Sequence, residues 1–180
     1  VPPLILYLSW RWSAAVVALL CLILALLTQP ARAVEQSGTR IDASAGFLAP
    51  LRMVFADPPL AELAVVSLIF AATQITLIAY LVSYLNLELG YSLVAAGLVY
   101  SSAHAAGIIG RIVWGTVADR CLSPRRTLGA LGVMMALSGV GVACFEADWP
   151  LSAVISVSVL FGASAVGWNG VYLAEVARLA

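Results

Sequence analysis

The sequence predicts an all-α, polytopic transmembrane helix bundle. Of its 180 residues 63% are hydrophobic and only 10% charged, and the mean hydropathy of +1.04 lies far outside the soluble range. Its apolar residues are gathered into five runs of the length that a bilayer requires, roughly 20 residues at about 1.5 Å rise each. Lipid offers backbone groups no hydrogen-bond partner, so such runs must be helical.

The runs are Trp12 to Thr28, Ala61 to Leu85, Ser92 to Val117, Thr127 to Phe145 and Pro150 to Ala174. The first is too long for a signal-peptide core, ends without a convincing cleavage context and is followed by further spans. Residues 30–60 form the only long connection. Rich in Pro, Gly, Ser and mixed charge, they read as a linker between two helical bundles, with Phe47 to Phe55 lying along the membrane surface. Residues 1–29 thus read as the last span of one bundle and 61–180 as the first four spans of another. This is the expected shape of an excised middle of a longer chain.

If the first span ends inside, the inside segments hold Arg32, Arg40, Arg52, Arg120, Arg125, Arg126 and Arg178, against Arg11 outside. Positive-inside bias therefore puts the linker, the loop 118–126 and the C-terminus in the cytoplasm; the protein is expected to be integral to a cell (plasma or inner) membrane. Trp10, Trp12, Tyr84, Tyr91 and Trp149 fall at the predicted outer boundary, where amphipathic rings are favoured, beside Glu88, Glu146 and Asp148.

The net charge is zero and no basic stripe with interleaved aromatics occurs, so nothing favours a nucleic-acid partner. Cys21, Cys121 and Cys144 lack metal-ligand spacing, and Cys21 and Cys144 sit in apolar runs where a thiol behaves as a small hydrophobe. No phosphate-binding Gly-rich loop is present, so ATP hydrolysis is not expected and no cofactor is implied.

Ionisable groups inside a span are functional candidates, because burial in hydrocarbon is costly unless they face a cavity or a partner. His104 is the clear case. At helical spacing it shares a face with Gly97, Tyr100, Gly107 and Arg111, a stripe unlike the Leu, Ile and Val of a lipid-facing surface. Imidazoles change charge near neutral pH, so His104 is a candidate for substrate or proton binding; a neutral histidine held by one inter-helix hydrogen bond is the bland alternative. No Asp or Glu lies deep in a span, leaving His104 as the local candidate for carrying a coupled proton.

Gln74, Tyr100 and Asn169 complete the candidate substrate path. Thr73, Ser101 and Ser164 read rather as inter-helix glue, at roughly 0.6 kcal/mol per bond. Arg111 is expected to snorkel to the interface or to join the inner gate. Gly132, Ala136, Gly139 and Ala143 form a small-residue packing stripe, and Gly167 and Gly170 either loosen the last span or permit a close crossing.

The most specific stretch is Gly110-Arg111-Ile-Val-Trp-Gly115-Thr-Val-Ala-Asp119-Arg120, followed after Cys-Leu-Ser-Pro by Arg125-Arg126. It resembles the loop signature of the major facilitator superfamily: Gly, three residues, Asp-Arg, one residue, Gly, then paired basic residues. Gly115, Asp119, Arg120, Arg125 and Arg126 match; the loop is two residues longer and lacks the turn glycine. Trp10-Arg11-Trp12 resembles the family's outer approach to its sixth helix, and Gly167-Trp168-Asn169-Gly170 through Glu175 and Arg178 the inner half of its tenth.

The resemblance implies spans six to ten of a twelve-helix permease, a secondary transporter moving a small solute by alternating access, whose partners are that solute, the bilayer and the remaining helices. It also implies that Asp119 and Arg120, emerging beside Glu175 and Arg178, brace a cytoplasmic gate; the alternative is that these charges only anchor the topology. Such contacts set a two-state balance that a few kcal/mol suffices to move. Two other readings compete. Ser164 and His104 could pair as nucleophile and base of an intramembrane hydrolase, resembling rhomboid proteases except that Ala165 replaces a glycine. The chain could also sense or scaffold without transporting.

Overall fold

The computed structural model describes residues 54–179 and, within the first predicted span, Ala15, Leu19 and Ile23, which are helical. The rest of the span Trp12 to Thr28, the flanking Trp10 and Arg11, and the linker up to Met53 lie outside the described residues. So do Cys21, Arg32, Arg40 and Arg52. Residues 1–48 and 49–180 form separate units, and the second is the one described below.

Five α-helices follow in order: α1 Pro58–Ser83, α2 Leu93–Arg120, α3 Pro124–Ala143, α4 Leu151–Ala165 and α5 Asn169–Leu179. Among the described residues there is no strand, and four segments are long and apolar enough to cross a membrane, α4 and α5 together making one of them. The all-α polytopic bundle expected from composition is what forms. The loop carrying Arg120 to Arg126 joins α2 to α3 at one end of the bundle, here the arginine end, and Tyr91 and Trp149 lie at the other, the tyrosine end.

Helix boundaries follow local chemistry. α1 starts at Pro58, three residues before the expected Ala61, because proline is tolerated where the first-turn N–H has no helical acceptor. Helix α3 uses Pro124 in the same way after Ser123. Beyond Ser83, α1 widens into a π-helical turn, Tyr84–Glu88, and stops at Gly90, whose φ of +71° only glycine adopts without strain. Asn86 Nδ2 donates to the Tyr91 carbonyl at 2.8 Å and fixes this turn. Ser92 caps α2 by accepting from the Ala95 N–H at 3.2 Å.

Helix α2 lies most extensively against α4, which also packs on α3, while α5 touches α1, α2 and α3. Glycines allow the α2–α4 crossing. A Cβ on Gly162 would overlap the Ala103 carbonyl oxygen, one on Gly110 would come within 2.6 Å of the Ala163 oxygen, and one on Gly107 within 2.5 Å of the Val166 side chain. The expected small-residue stripe of α3 behaves differently. Gly132 meets Phe70 at 3.3 Å, but Gly139 faces open space and Ala136 and Ala143 are exposed; the close approach on α3 is Gly141 against Val157, at 2.9 Å. Cys144, expected within an apolar run, ends α3 as its exposed C-cap.

Ties at the tyrosine end are neutral. The Tyr91 hydroxyl donates to the Trp149 carbonyl at 2.7 Å, and that of Tyr84 to the Val142 carbonyl at 3.3 Å. Of the expected boundary aromatics, Tyr91 and Trp149 are joined directly, while Tyr84 ties its own turn to α3.

Candidate functional site

The last predicted span, Pro150 to Ala174, is not one helix. It breaks over Val166, Gly167 and Trp168 between α4 and α5. A break at membrane depth leaves carbonyls without helical donors, which is tolerated only where protein or a water-filled cavity supplies partners. Helix α2 supplies them. Trp114 Nε1 donates to the Ala163 carbonyl at 3.0 Å, and Arg111 Nε to the Val166 carbonyl at 3.2 Å, which Asn169 Nδ2 also approaches at 3.5 Å. Gly167 fits because its Cβ would overlap the Ala163 oxygen and sit 3.0 Å from the Trp114 ring.

From α1, Gln74 reaches the same break. Its Oε1 accepts from Trp168 Nε1 at 3.1 Å, and Trp168 is itself buried edge-on against Phe70 and Tyr172, with ring centroids 5.6 and 5.5 Å away. Gln74 and Asn169, two sequence candidates, are therefore gathered at the break, each already holding one hydrogen bond.

His104 and Tyr100 stand one turn apart on α2, rings 4.2 Å apart and 32° inclined, both half-buried. The His104 Nδ1 lies 3.3 Å from the Tyr100 carbonyl oxygen. The expected inter-helix hydrogen bond of the bland reading is not formed among the described residues. Ser164 is buried and its hydroxyl donates to the Leu160 and Phe161 carbonyls, both at 3.0 Å; no hydrogen bond joins it to His104. Thr73 likewise donates within its own helix, to the Ile69 carbonyl at 2.9 Å, rather than across helices, and Ser101 is exposed.

At the arginine end the charges are distributed differently from the sequence expectation. Glu175 is 1% exposed and accepts two hydrogen bonds from Arg178, at 2.7 and 2.9 Å, closing an ion pair within α5. Among the described residues Asp119 and Arg120 make no salt bridge to either; Glu175 is paired instead with its i,i+3 neighbour on the same helix. Both stand exposed at the end of α2, and Gly115 one turn earlier has open space where a Cβ would be. Arg125 pairs instead with Glu62 of the first turns of α1, a contact between half-exposed side chains that ties α3 to α1; Arg126 is exposed.

Arg111 is the largest departure. Expected at the interface or in the gate, it is turned sideways onto the break of the neighbouring span. Sequence reasoning also missed Trp114, Trp168 and Glu62. The indole pair carried a legible signal, since a Trp N–H at membrane depth needs an acceptor.

Neither a curated protein nor a solved structure matches the chain. The family model described as Major Facilitator Superfamily matches residues 1–180, all of it, and the four apolar spans agree with an integral membrane protein. With the Gly115 to Arg126 signature and the helical bundle in place, the chain belongs to the Major Facilitator Superfamily, a family of membrane transporters.

Proposed function

We propose that the protein is a secondary active transporter that moves a small solute by alternating access, with the arginine end of the bundle facing the cytoplasm of a plasma or inner membrane. The observation that carries this reading is the discontinuous last span. A helix broken at membrane depth, with its freed carbonyls held by side chains of a neighbouring helix, is the arrangement by which transporters place polar backbone where a solute can reach it.

In this reading Tyr100, His104, Gln74 and Asn169 border the solute path, and His104 is the residue placed to carry a coupled proton. The gate lies at the arginine end, in the two ion pairs Glu62–Arg125 and Glu175–Arg178, with Asp119, Arg120 and Arg126 exposed beside them and available to partners from the rest of the protein. Gly115 leaves room for one such partner to approach α2.

Reconstitution of the complete cellular protein into proteoliposomes, followed by uptake of radiolabelled organic acids, sugars, amino acids and amines with and without a proton gradient, tests the proposal. Saturable uptake of one class is expected, weakened by His104→Ala. A folded, monodisperse protein without saturable uptake of any class would leave a sensor or scaffold as the better reading.

A further inference from the structure

α1 and α3 hardly meet through their backbones. Side chains bridge them at three levels instead: Glu62 with Arg125 at the arginine end, the Phe70 ring 3.3 Å from where a Cβ on Gly132 would stand, and the Tyr84 hydroxyl on the Val142 carbonyl at the tyrosine end. Between the first two bridges lies a cavity of about 240 Å³, which opens at Glu62 and Arg125 and continues over Leu63, Val66 and Leu128. It adjoins a second cavity of about 200 Å³ at Phe70 and Gly132, and this one reaches Thr73, Gly139 and Phe161. Together they make one groove, charged at its mouth and apolar along its length.

The dimensions and chemistry of the groove select its occupant. From Glu62 to Thr73 it runs about 16 Å along α1, close to half of the roughly 30 Å hydrocarbon core, which is the depth of one leaflet. A helix, about 10–12 Å across with its side chains, cannot enter past the bridges at Arg125 and Phe70. A polar solute would find no free hydrogen-bonding group inside, because the one polar side chain of the deeper cavity, Thr73, already donates to the Ile69 carbonyl. An alkyl chain is narrow enough and asks for no hydrogen bond. At the mouth the Arg125 side chain is 51% exposed, and Glu62 engages only one nitrogen of its five-donor fork.

We propose that the groove between α1 and α3 is a binding site for one glycerophospholipid of the leaflet at the arginine end, with an acyl chain in the groove and the phosphodiester on Arg125. A guanidinium fork suits the paired oxygens of a phosphodiester, and the hydrocarbon lies where a bilayer chain of that leaflet already runs. The small residues of α3 acquire a role in this site: Gly132 and Gly139 keep the wall low enough for a chain to lie against it. The inference goes beyond transport and needs only the membrane.

The test reconstitutes the full-length protein into phosphatidylcholine vesicles doped with a phosphatidylcholine that carries a diazirine midway along one acyl chain, irradiates them, and maps the adducts by peptide mass spectrometry. Adducts on residues 62–73 and 125–139 are expected at several times the average of the other spans, saturating as the probe fraction rises. Gly129→Leu places its side chain into open space of the first cavity, with nothing within 4 Å of the new Cβ, and should return the yield to that average. Arg125→Gln should lower it roughly threefold. A yield at the average that grows in proportion to the probe reports ordinary contact with surrounding lipid and overturns the proposal. Unlabelled groove segments beside labelled spans would mean that protein fills the groove, whether the linker, another helix or a second copy, and overturn it equally. So would a yield indifferent to Gly129→Leu or to Arg125→Gln. The first two outcomes need no substitution, so a variant that fails to fold does not shelter the proposal.

Discussion

The contacts of α2 with α4 and those of α1 with the rest of its unit are built on different principles. At the α2–α4 crossing backbone meets backbone through Gly107, Gly110 and Gly162, and the break beyond it is bonded to Trp114 and Arg111. α1 is held through its side chains, among them Phe70 against Trp168, the Gln74–Trp168 hydrogen bond, the Glu62–Arg125 ion pair and, at its far end, the Tyr84 hydroxyl on the Val142 carbonyl. In the most apolar window of α1 17% of residues are buried, against 50% for α4–α5. Interlocked backbones cannot slide without collision, whereas side-chain contacts exchange partners cheaply. The comparison makes α2 and α4 the body of this unit and α1 its adjustable member.

Predictions that break the comparison at its strongest point come first. Gly162→Val places side-chain carbons into the Ala103 carbonyl, where backbone must give way, so a loss of about 1–3 kcal/mol or outright misfolding is expected, read by fluorescence-detected size exclusion and melting temperature. Gly139→Val, facing open space on α3, should leave both nearly unchanged.

Next is Trp114→Phe, which keeps the ring but strands the Ala163 carbonyl at the break. A cost of about 1–3 kcal/mol is expected if no water replaces the indole N–H, and hydrogen exchange should quicken at Gly167 to Asn169 ahead of the rest of the span.

A smaller change follows from uncoupling α1. Trp168→Phe and Gln74→Leu each remove one side-chain hydrogen bond, worth about 0.6 kcal/mol, and the double variant should be no less stable than the worse single. Full additivity in that cycle would mean that the bond contributes nothing. Last, Arg125→Gln removes a half-exposed pair, costs about 0–1 kcal/mol, and its effect should vanish in high salt; an effect that persists there would make the pair a fixed brace rather than an exchangeable one.

Much of this is legible in the sequence. Hydropathy marked the spans after residue 60, with α1 and α3 beginning three residues early because Pro58 and Pro124 start helices as readily as they end them. Tyr100 and His104 were placed on one face by spacing alone, and stack there. Partnership was not legible. Glu175 and Arg178 could be matched with Asp119 and Arg120 on topological grounds, yet the i,i+3 geometry of α5 satisfied the carboxylate locally. Arg111 reads as an interface or gate residue because nothing in an apolar run announces where the next span will break.

The sequence by itself determined that this chain is a helical membrane protein of the facilitator superfamily, because lipid forces backbone hydrogen bonds inward and so turns hydropathy into architecture. Only the tertiary structure decided which carbonyls the break leaves free and which donors answer them. Those bonds join Gln74 to Trp168, Trp114 to Ala163 and Arg111 to Val166, residues far apart in the chain, and their geometry is set by how closely glycine lets α2 and α4 approach.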